Sequence, residues 1–230
     1  MGKSFVWFDL GYTLVYQQRE EVYRQFVREQ GADVPLSEVE RAYHLTDKLF
    51  MREYPGALGK EAQTFFPWYL GVVNYRLGFH FDLHRQCGRM REIQGLSQRK
   101  WLSFPYTSTV LERLKKHAVG VGLISNWDAT ARHVLEDNGL IGYFDHIVIS
   151  SEVGSEKPGK EIFLCALRAA DVSPEDCLYV GDNYYDDVVG SSRVGMDAVL
   201  INRFGRFGIE ELAHEPTIAS IEAVPDIVNR

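Results

Sequence analysis

Five residues that could do chemistry are scattered through this 230-residue chain: Asp9, Ser125, Lys157, Asp182 and Asp187. Three of them stand where short apolar runs stop. SFVWF at 4–8 ends at Asp9, AVGVGLISN ends at Ser125 and Asn126, and CLYVGD ends at Asp182. Asp9 and Asp182, with Asp187 a turn further on, invite a divalent cation. Hard cations such as Mg²⁺ prefer carboxylates, carbonyls and water, and a metal explains why mutually repelling acids should be crowded together. It also shields a carboxylate nucleophile from an incoming anionic phosphate. The plainer alternative makes Asp186 or Asp187 a helix cap over 186–194, which accounts for one acid but not for the whole set of strand ends. Lys157, in SEKPGKEIF, offers a compact charge to a phosphate and to Asp9, with Pro158 placed to begin a helix. Taken alone, a lysine before a helix is an ordinary solvated residue.

Residues so far apart meet only if the fold gathers them. An open parallel sheet does this, because the carboxyl ends of its strands share one edge where ligands bind. Strands are predicted near 4–8, 120–125, 146–150, 177–181 and 197–201, with helical stretches at about 107–117, 128–138, 159–169 and 186–194. Continuously apolar strands alternating with helices imply right-handed crossovers and a sheet covered on both faces. The fold class is therefore α/β, a doubly wound parallel sheet with a smaller inserted helical domain.

The insertion is read from residues 17–95, which hold no convincing strand. Val22, Tyr23, Phe26 and Val27 give an amphipathic helix ended by Gly31. Ser37 and Glu40 have capping-box spacing and open a helix through Met51. A third run, 59–77, is thick with aromatics, among them Phe65, Phe66, Trp68, Tyr69 and Tyr75. A strand at 4–8 cannot form a sheet alone, so the core is assigned to residues 1–16 and 96–230 and the cap to 17–95.

Composition sets limits on partners. A chain 45% hydrophobic and 25% charged is ordinary for a soluble globular protein. A net charge of −7 repels nucleic-acid phosphates. The local basic bias of Arg85, Arg89, Arg91, Arg99 and Lys100 reads as a solvated helical face. Cys87, Cys165 and Cys177 are odd in number and form no C-x-x-C, which fits a reducing compartment. No stretch reaches the roughly 18 apolar residues of a membrane span, and MGKSFVWFDLG carries no extended apolar leader. A cytoplasmic protein with neither nucleic-acid nor membrane partners is expected.

In order and spacing, these segments resemble the haloacid dehalogenase-like hydrolase superfamily, in its form with a helical cap after the first core strand. FDLGYTL at 8–14 resembles the first motif, whose leading aspartate attacks phosphorus. LISNWDAT at 123–130 is similar to the second, giving Ser125 the phosphoryl oxygens. SSEVGSEKPGKEIF at 150–163 looks like the third, giving Lys157 the charge-neutralising role. VGDNYYDDVVGSSRVGM at 180–196 resembles the fourth, mapping metal-binding acids onto Asp182 and Asp187. The resemblance implies a Mg²⁺-dependent phosphatase acting on a small phosphorylated molecule through an aspartyl-phosphate on Asp9, with the Gly11 carbonyl as a further metal ligand. Asn126 and Trp127, just after the second motif, are expected to touch substrate. Arg76 and His44 are weaker candidates for a distal anionic group.

The pattern breaks at Gly11, where the family's phosphatases usually carry a second aspartate that protonates the leaving group. General acid–base catalysis is worth on the order of 10²–10⁴ in rate. Tyr12 is adjacent, but a phenol with a pKa of about 10 is a poor base near neutrality. Two alternatives follow. A carbon–halogen hydrolase needs no such acid, yet it also needs no metal acids, which this chain keeps. A non-catalytic metal- or phosphate-binding regulator would tolerate the glycine as well.

Overall fold

The computed structural model describes residues 2–59, 62–96 and 101–228, and the chain divides into two compact units, Met1–Tyr16 with Leu102–Arg230, and Gln17–Trp101. Arg99 and Lys100 lie outside the described residues.

The first unit is built on β1 (Phe5–Phe8), β2 (Val15–Tyr16), β3 (Leu102–Ser103), β4 (Gly120–Ser125), β5 (His146–Ile149), β6 (Cys177–Gly181), β7 (Asp197–Ile201) and β8 (Thr217–Ile218). Six of these form one sheet in the order β5-β4-β1-β6-β7-β8, with every ladder parallel. Helices Thr107–Lys116, Ala131–Asp137 and Lys160–Ala170 connect its strands. It is the doubly wound α/β architecture that the apolar runs imply.

All four residues of β1 are buried, because this strand lies between β4 and β6. Its aromatics dictate the composition of its neighbour. A Cβ on Gly122 would lie 2.2 Å from the Trp7 ring, and one on Gly120 would lie 2.3 Å from Phe5. The small residues of AVGVGLISN thus make room for two large rings, which stack at 4.7 Å. The register sets Phe8 beside both Leu123 and Val180, so the next residues, Asp9, Ile124 and Gly181, come level at the carboxyl edge.

The five predicted strands appear within one residue of their expected ends, and three short ones were not foreseen. β8 adds a sixth strand to the sheet, and β2 pairs antiparallel with β3. Each is two residues long, too short to carry a period. The helix expected over 186–194 is also corrected. A π-helical turn, Tyr184–Val188, precedes a short helix at Val189–Ser192. The helix after Lys157 begins at Lys160 with Gly159 at the N-cap, rather than at Pro158.

Among the described residues of the second unit the secondary structure is helical: α1 (Arg19–Glu29), α2 (Leu36–Glu53), α3 (Ala62–Leu77) and α4 (Leu83–Gly95). Tyr23, Phe26, Tyr43, Phe50, Tyr69, Leu70 and Met90 form its core. The expected capping box does not form. Pro35 occupies the N-cap of α2, without a side-chain cap bond, and leaves Ser37 inside the first turn. The aromatic run divides: Tyr69 is buried, whereas Trp68 is 43% and Tyr75 84% exposed. A buried polar chain joins three helices, since Tyr23 donates to Asn74 Oδ1 at 2.8 Å and Asn74 exchanges two bonds with Gln86. Arg19 donates to both oxygens of Asp47, and Tyr69 donates to the same carboxylate at 2.7 Å. Of the basic bias, Arg85, Arg89 and Arg91 belong to α4, which buries Gln86, Cys87, Met90 and Ile93 and pairs Arg89 outward with Glu29 and Glu92.

Candidate active site

Asp9 follows β1 directly and is buried. Its backbone N–H continues the sheet ladder to the Val180 carbonyl at 2.9 Å, which fixes where its side chain starts. Ser125, the last residue of β4, donates its hydroxyl to Asp9 Oδ1 at 3.2 Å. Lys157 reaches the same oxygen with Nζ at 2.7 Å and Asp187 Oδ1 at 2.6 Å. Ser125 and Lys157, which lie 116 and 148 positions from Asp9 in the chain, therefore meet at its carboxylate.

The electrostatics follow from burial. Removing Asp9 from water raises its carboxyl above the usual range; Lys157 opposes that rise and the nearby Asp187 adds to it. Burial works against the charge on Lys157, but Asp187, Asp9 and Tyr179 together hold the ammonium well above the ordinary lysine value. The lysine thus stays charged in a site that desolvates it. Asp186, beside this cluster, is pushed up to about 7, first by burial and then by Asp187.

Asp187 sits within the π-helical turn, a distortion found often at functional sites. Its Oδ2 accepts from the Asn183 N–H at 2.9 Å. The capping role expected of Asp186 or Asp187 falls to Asn183, whose side-chain oxygen accepts from the N–H groups of Tyr185 and Asp186. The amide of Asn183 also donates to Asp186 Oδ2 at 2.8 Å. Asp187 is left free to face inward.

One carboxylate oxygen from each of Asp9, Asp182 and Asp187 falls within 4.8 Å of the others. All three donors are hard oxygens, the set that suits Mg²⁺ and that a softer metal would not select. The residues present therefore fit the cation that the strand ends invite.

Asn126 and Trp127, expected to touch substrate, also make contacts within the protein. The Asn126 amide donates to the Lys157 carbonyl at 2.9 Å, and its oxygen accepts the Lys157 N–H at 2.7 Å. Both ends are occupied in holding the lysine's backbone. Trp127 donates its backbone N–H to Ser150 Oγ and its indole N–H to Thr130 Oγ1, both at 3.1 Å. In the helical unit, Arg76 is exposed and donates to the Leu45 carbonyl, and His44 is buried in α2.

One residue in direct contact with the cluster escaped sequence reasoning. Tyr179 of β6 accepts from Lys157 Nζ at 3.0 Å and donates to the Ile124 carbonyl at 2.9 Å. Burial keeps this phenol well above its usual pKa, with Lys157 opposing. In CLYVGD it reads as one more core aromatic, and only its hydroxyl sets it apart.

The profile of the haloacid dehalogenase-like hydrolases matches residues 8–201, from the phenylalanine before Asp9 to the end of β7. The chain belongs to this family. It is therefore a hydrolase by descent, and its fold is the family's. A glyceraldehyde 3-phosphate phosphatase of Methanothermobacter thermautotrophicus is 29% identical, over 86% of this chain and 74% of its own length. Another, from Pyrococcus furiosus, is 33% identical over 68% of this chain and 65% of its own. A solved HAD phosphatase from Thermococcus onnurineus superposes with a TM-score of 0.60 at 23% identity, covering 98% of this chain and 97% of that one. Among the described residues no helix is long and apolar enough to cross a membrane.

Proposed function

We propose that the chain is a Mg²⁺-dependent phosphomonoester hydrolase that acts on a small phosphorylated molecule through an aspartyl-phosphate on Asp9. The observation that carries this reading is the convergence on Asp9 Oδ1 of the Ser125 hydroxyl and the Lys157 ammonium, beside the carboxylates of Asp182 and Asp187. The two archaeal relatives named for glyceraldehyde 3-phosphate support a small phosphorylated substrate class. Residues 17–101 are read as the inserted cap that selects the substrate, and the three free cysteines are in keeping with a cytoplasmic, reducing setting.

Asp9 attacks phosphorus, the P–O bond to the alcohol breaks, and an acyl phosphate remains. Water then attacks that phosphorus, releasing phosphate and regenerating the carboxylate. Two easier displacements replace one difficult one. As charge moves from the carboxylate to the phosphoryl oxygens, Lys157 and Ser125, which stand beside Asp9 Oδ1, would supply donors to the developing charge. A Mg²⁺ held by Asp9, Asp182 and Asp187, with the Gly11 carbonyl as a further ligand, would neutralise charge on the phosphoryl group. Gly11 supplies no proton, so an acid of the inserted domain, an ordered water or the substrate itself would have to protonate the departing alkoxide.

The glycine also favours a second reading, a carbon–halogen hydrolase, because halide leaves unprotonated. Such chemistry gives no reason to keep Asp182 and Asp187 beside Asp9, and the phosphate reading does. The test incubates the protein with Mg²⁺ and a panel of phosphorylated metabolites, an aryl phosphate and 2-chloro acids. Phosphate release and a hydroxylamine-sensitive phosphoenzyme, both absent in Asp9→Asn, are expected. Halide release without phosphate release would favour the second reading, and no turnover across the panel would favour a binding role.

A further inference from the structure

The Lys157 ammonium has three N–H groups and three partners. Two are the carboxylates of Asp9 and Asp187, and the third is the neutral oxygen of Tyr179 at 3.0 Å. A phenol carries a single proton, and that of Tyr179 goes to the Ile124 carbonyl at 2.9 Å. Tyr179 therefore meets Lys157 as an acceptor only, with its lone pair aimed by the backbone of β4. Ile124 immediately precedes Ser125, whose hydroxyl donates to the same Asp9 oxygen that Lys157 holds. A closed circuit results, running from Asp9 through Lys157 and Tyr179 to the strand end that carries Ser125.

Each member of the circuit is buried. Deleting the phenol oxygen leaves one N–H of the ammonium and one strand carbonyl without that partner, where water is scarce. With only two carboxylates to choose between, the ammonium can lean toward Asp187 and away from Asp9. The phenol supplies the third fixed direction.

We propose that Tyr179 is a positioning residue of the reaction, which holds the Lys157 ammonium on Asp9 Oδ1 and ties it to the Ile124 carbonyl. The inference rests on reading Asp9 as the nucleophile and Lys157 as its charge partner. A purely structural tyrosine would act through its ring, which packs edge-on against Phe163 at 5.4 Å. Tyr179→Phe keeps that ring and removes the oxygen. Phe163→Leu disturbs the packing and keeps the oxygen.

The experiment compares both variants with the wild-type chain in two measurements. With Mg²⁺ and an aryl phosphate, Tyr179→Phe should lose on the order of 10- to 100-fold in kcat, as misaligned groups do, with KM little changed. Phe163→Leu should lower the melting temperature at least as much while leaving kcat near wild type. In the substrate-free chain, the ¹⁵N–¹H side-chain signal of Lys157 should be sharp in wild type and Phe163→Leu and exchange-broadened in Tyr179→Phe. Its assignment comes from its loss in Lys157→Arg or, should that variant not fold, from its shift in Asp9→Asn. An unchanged ammonium signal in Tyr179→Phe overturns the inference, as does an equal kcat loss in Phe163→Leu. If the wild type turns over no phosphate, the phosphatase reading falls, while the ammonium signal still decides whether Tyr179 holds Lys157.

Discussion

A Cβ built on Gly181 would stand 2.1 Å from Oδ2 of Asp187 and 2.4 Å from its Cγ. The last residue of β6 is a glycine because the Asp187 carboxylate lies directly across the strand. That carboxylate is held from both sides, by the Asn183 N–H on Oδ2 and by Lys157 on Oδ1. It has nowhere to retreat without giving up one of them.

Gly181→Ala should therefore act on the metal site without altering any ligand. The added methyl pushes Asp187 off its two donors, with overpacking worth about 1–3 kcal/mol. We expect Mg²⁺ affinity, read by calorimetry, to fall at least about tenfold, equivalent to 1.4 kcal/mol. Denaturant unfolding in EDTA should show the stability loss separately. Wild-type values in both would mean that the turn yields freely and the close approach is incidental.

Asp9→Asn should separate activity from stability. Burial and Asp187 raise the Asp9 carboxyl despite Lys157, so its ionised form is strained in the fold. The amide removes that charge, and Lys157 retains Asp187 and Tyr179. Turnover should fall by at least about 10³-fold, as for other nucleophile deletions. The melting temperature in EDTA should equal or exceed that of wild type. A clear drop would show that the Asp9–Lys157 pair is a net stabilising contact.

The sheet was legible in the sequence because its strands are buried on both faces and so write themselves as unbroken apolar runs. The residues that end those runs, Asp9, Ser125 and Asp182, could be nominated for the same reason: a polar group that stops an apolar strand stands out. What the sequence hid was the choice among polar residues within a turn. Asn183, Asp186 and Asp187 all suit a helix start, and only the π-helical turn shows that Asn183 caps while Asp187 faces Lys157. Asn126 was hidden in another way. Its neighbour Ser125 meets Asp9, but its own amide turns to a backbone 31 residues away. Tyr179 left no polar signal, since a phenol amid apolar residues reads as core.

The pH dependence of stability should carry the signature of Asp186, whose carboxyl is pushed up to about 7 by burial and Asp187. An unfolded aspartate titrates near a pH of about 3.9. Between those values the folded chain keeps a proton that the unfolded chain has released, so stability falls as pH rises through the window. The ceiling is about 4 kcal/mol, and the raised Asp9 carboxyl adds in the same direction. Urea unfolding in EDTA should give a higher stability at pH 5 than at pH 8, and Asp186→Asn should flatten the difference. A slope that survives in Asp186→Asn would assign it to Asp9 instead.

Lys157→Met tests the cost of breaking the buried cluster. The substitution leaves two carboxylates facing one another where burial and neighbouring charge already act. Breaking a buried pair by removing one partner typically costs about 3–5 kcal/mol. The loss should be largest at pH 8 in EDTA and should shrink at pH 5, where a raised carboxyl accepts a proton. Added Mg²⁺ should recover part of it. A loss independent of both pH and Mg²⁺ would mean that packing of the lysine's carbon chain, rather than charge, is what the variant removes.

The turn after Asp9 bears on the missing proton donor. Its left-handed residue is Tyr12, at φ 54°, next to the glycine that stands where the family's acid would be. If the absent acid is the only defect, kcat/KM of the wild type should depend steeply on leaving-group pKa, because charge on the departing oxygen goes unneutralised in the transition state. Aryl and acyl phosphates should then be hydrolysed far better than alkyl phosphates. Gly11→Asp should flatten the dependence and raise alkyl phosphate turnover by on the order of 10²-fold, with circular dichroism confirming an unchanged fold. Should the wild type show no dependence while chemistry is rate-limiting, another group already delivers the proton, and the helical unit or the substrate is where it must be sought.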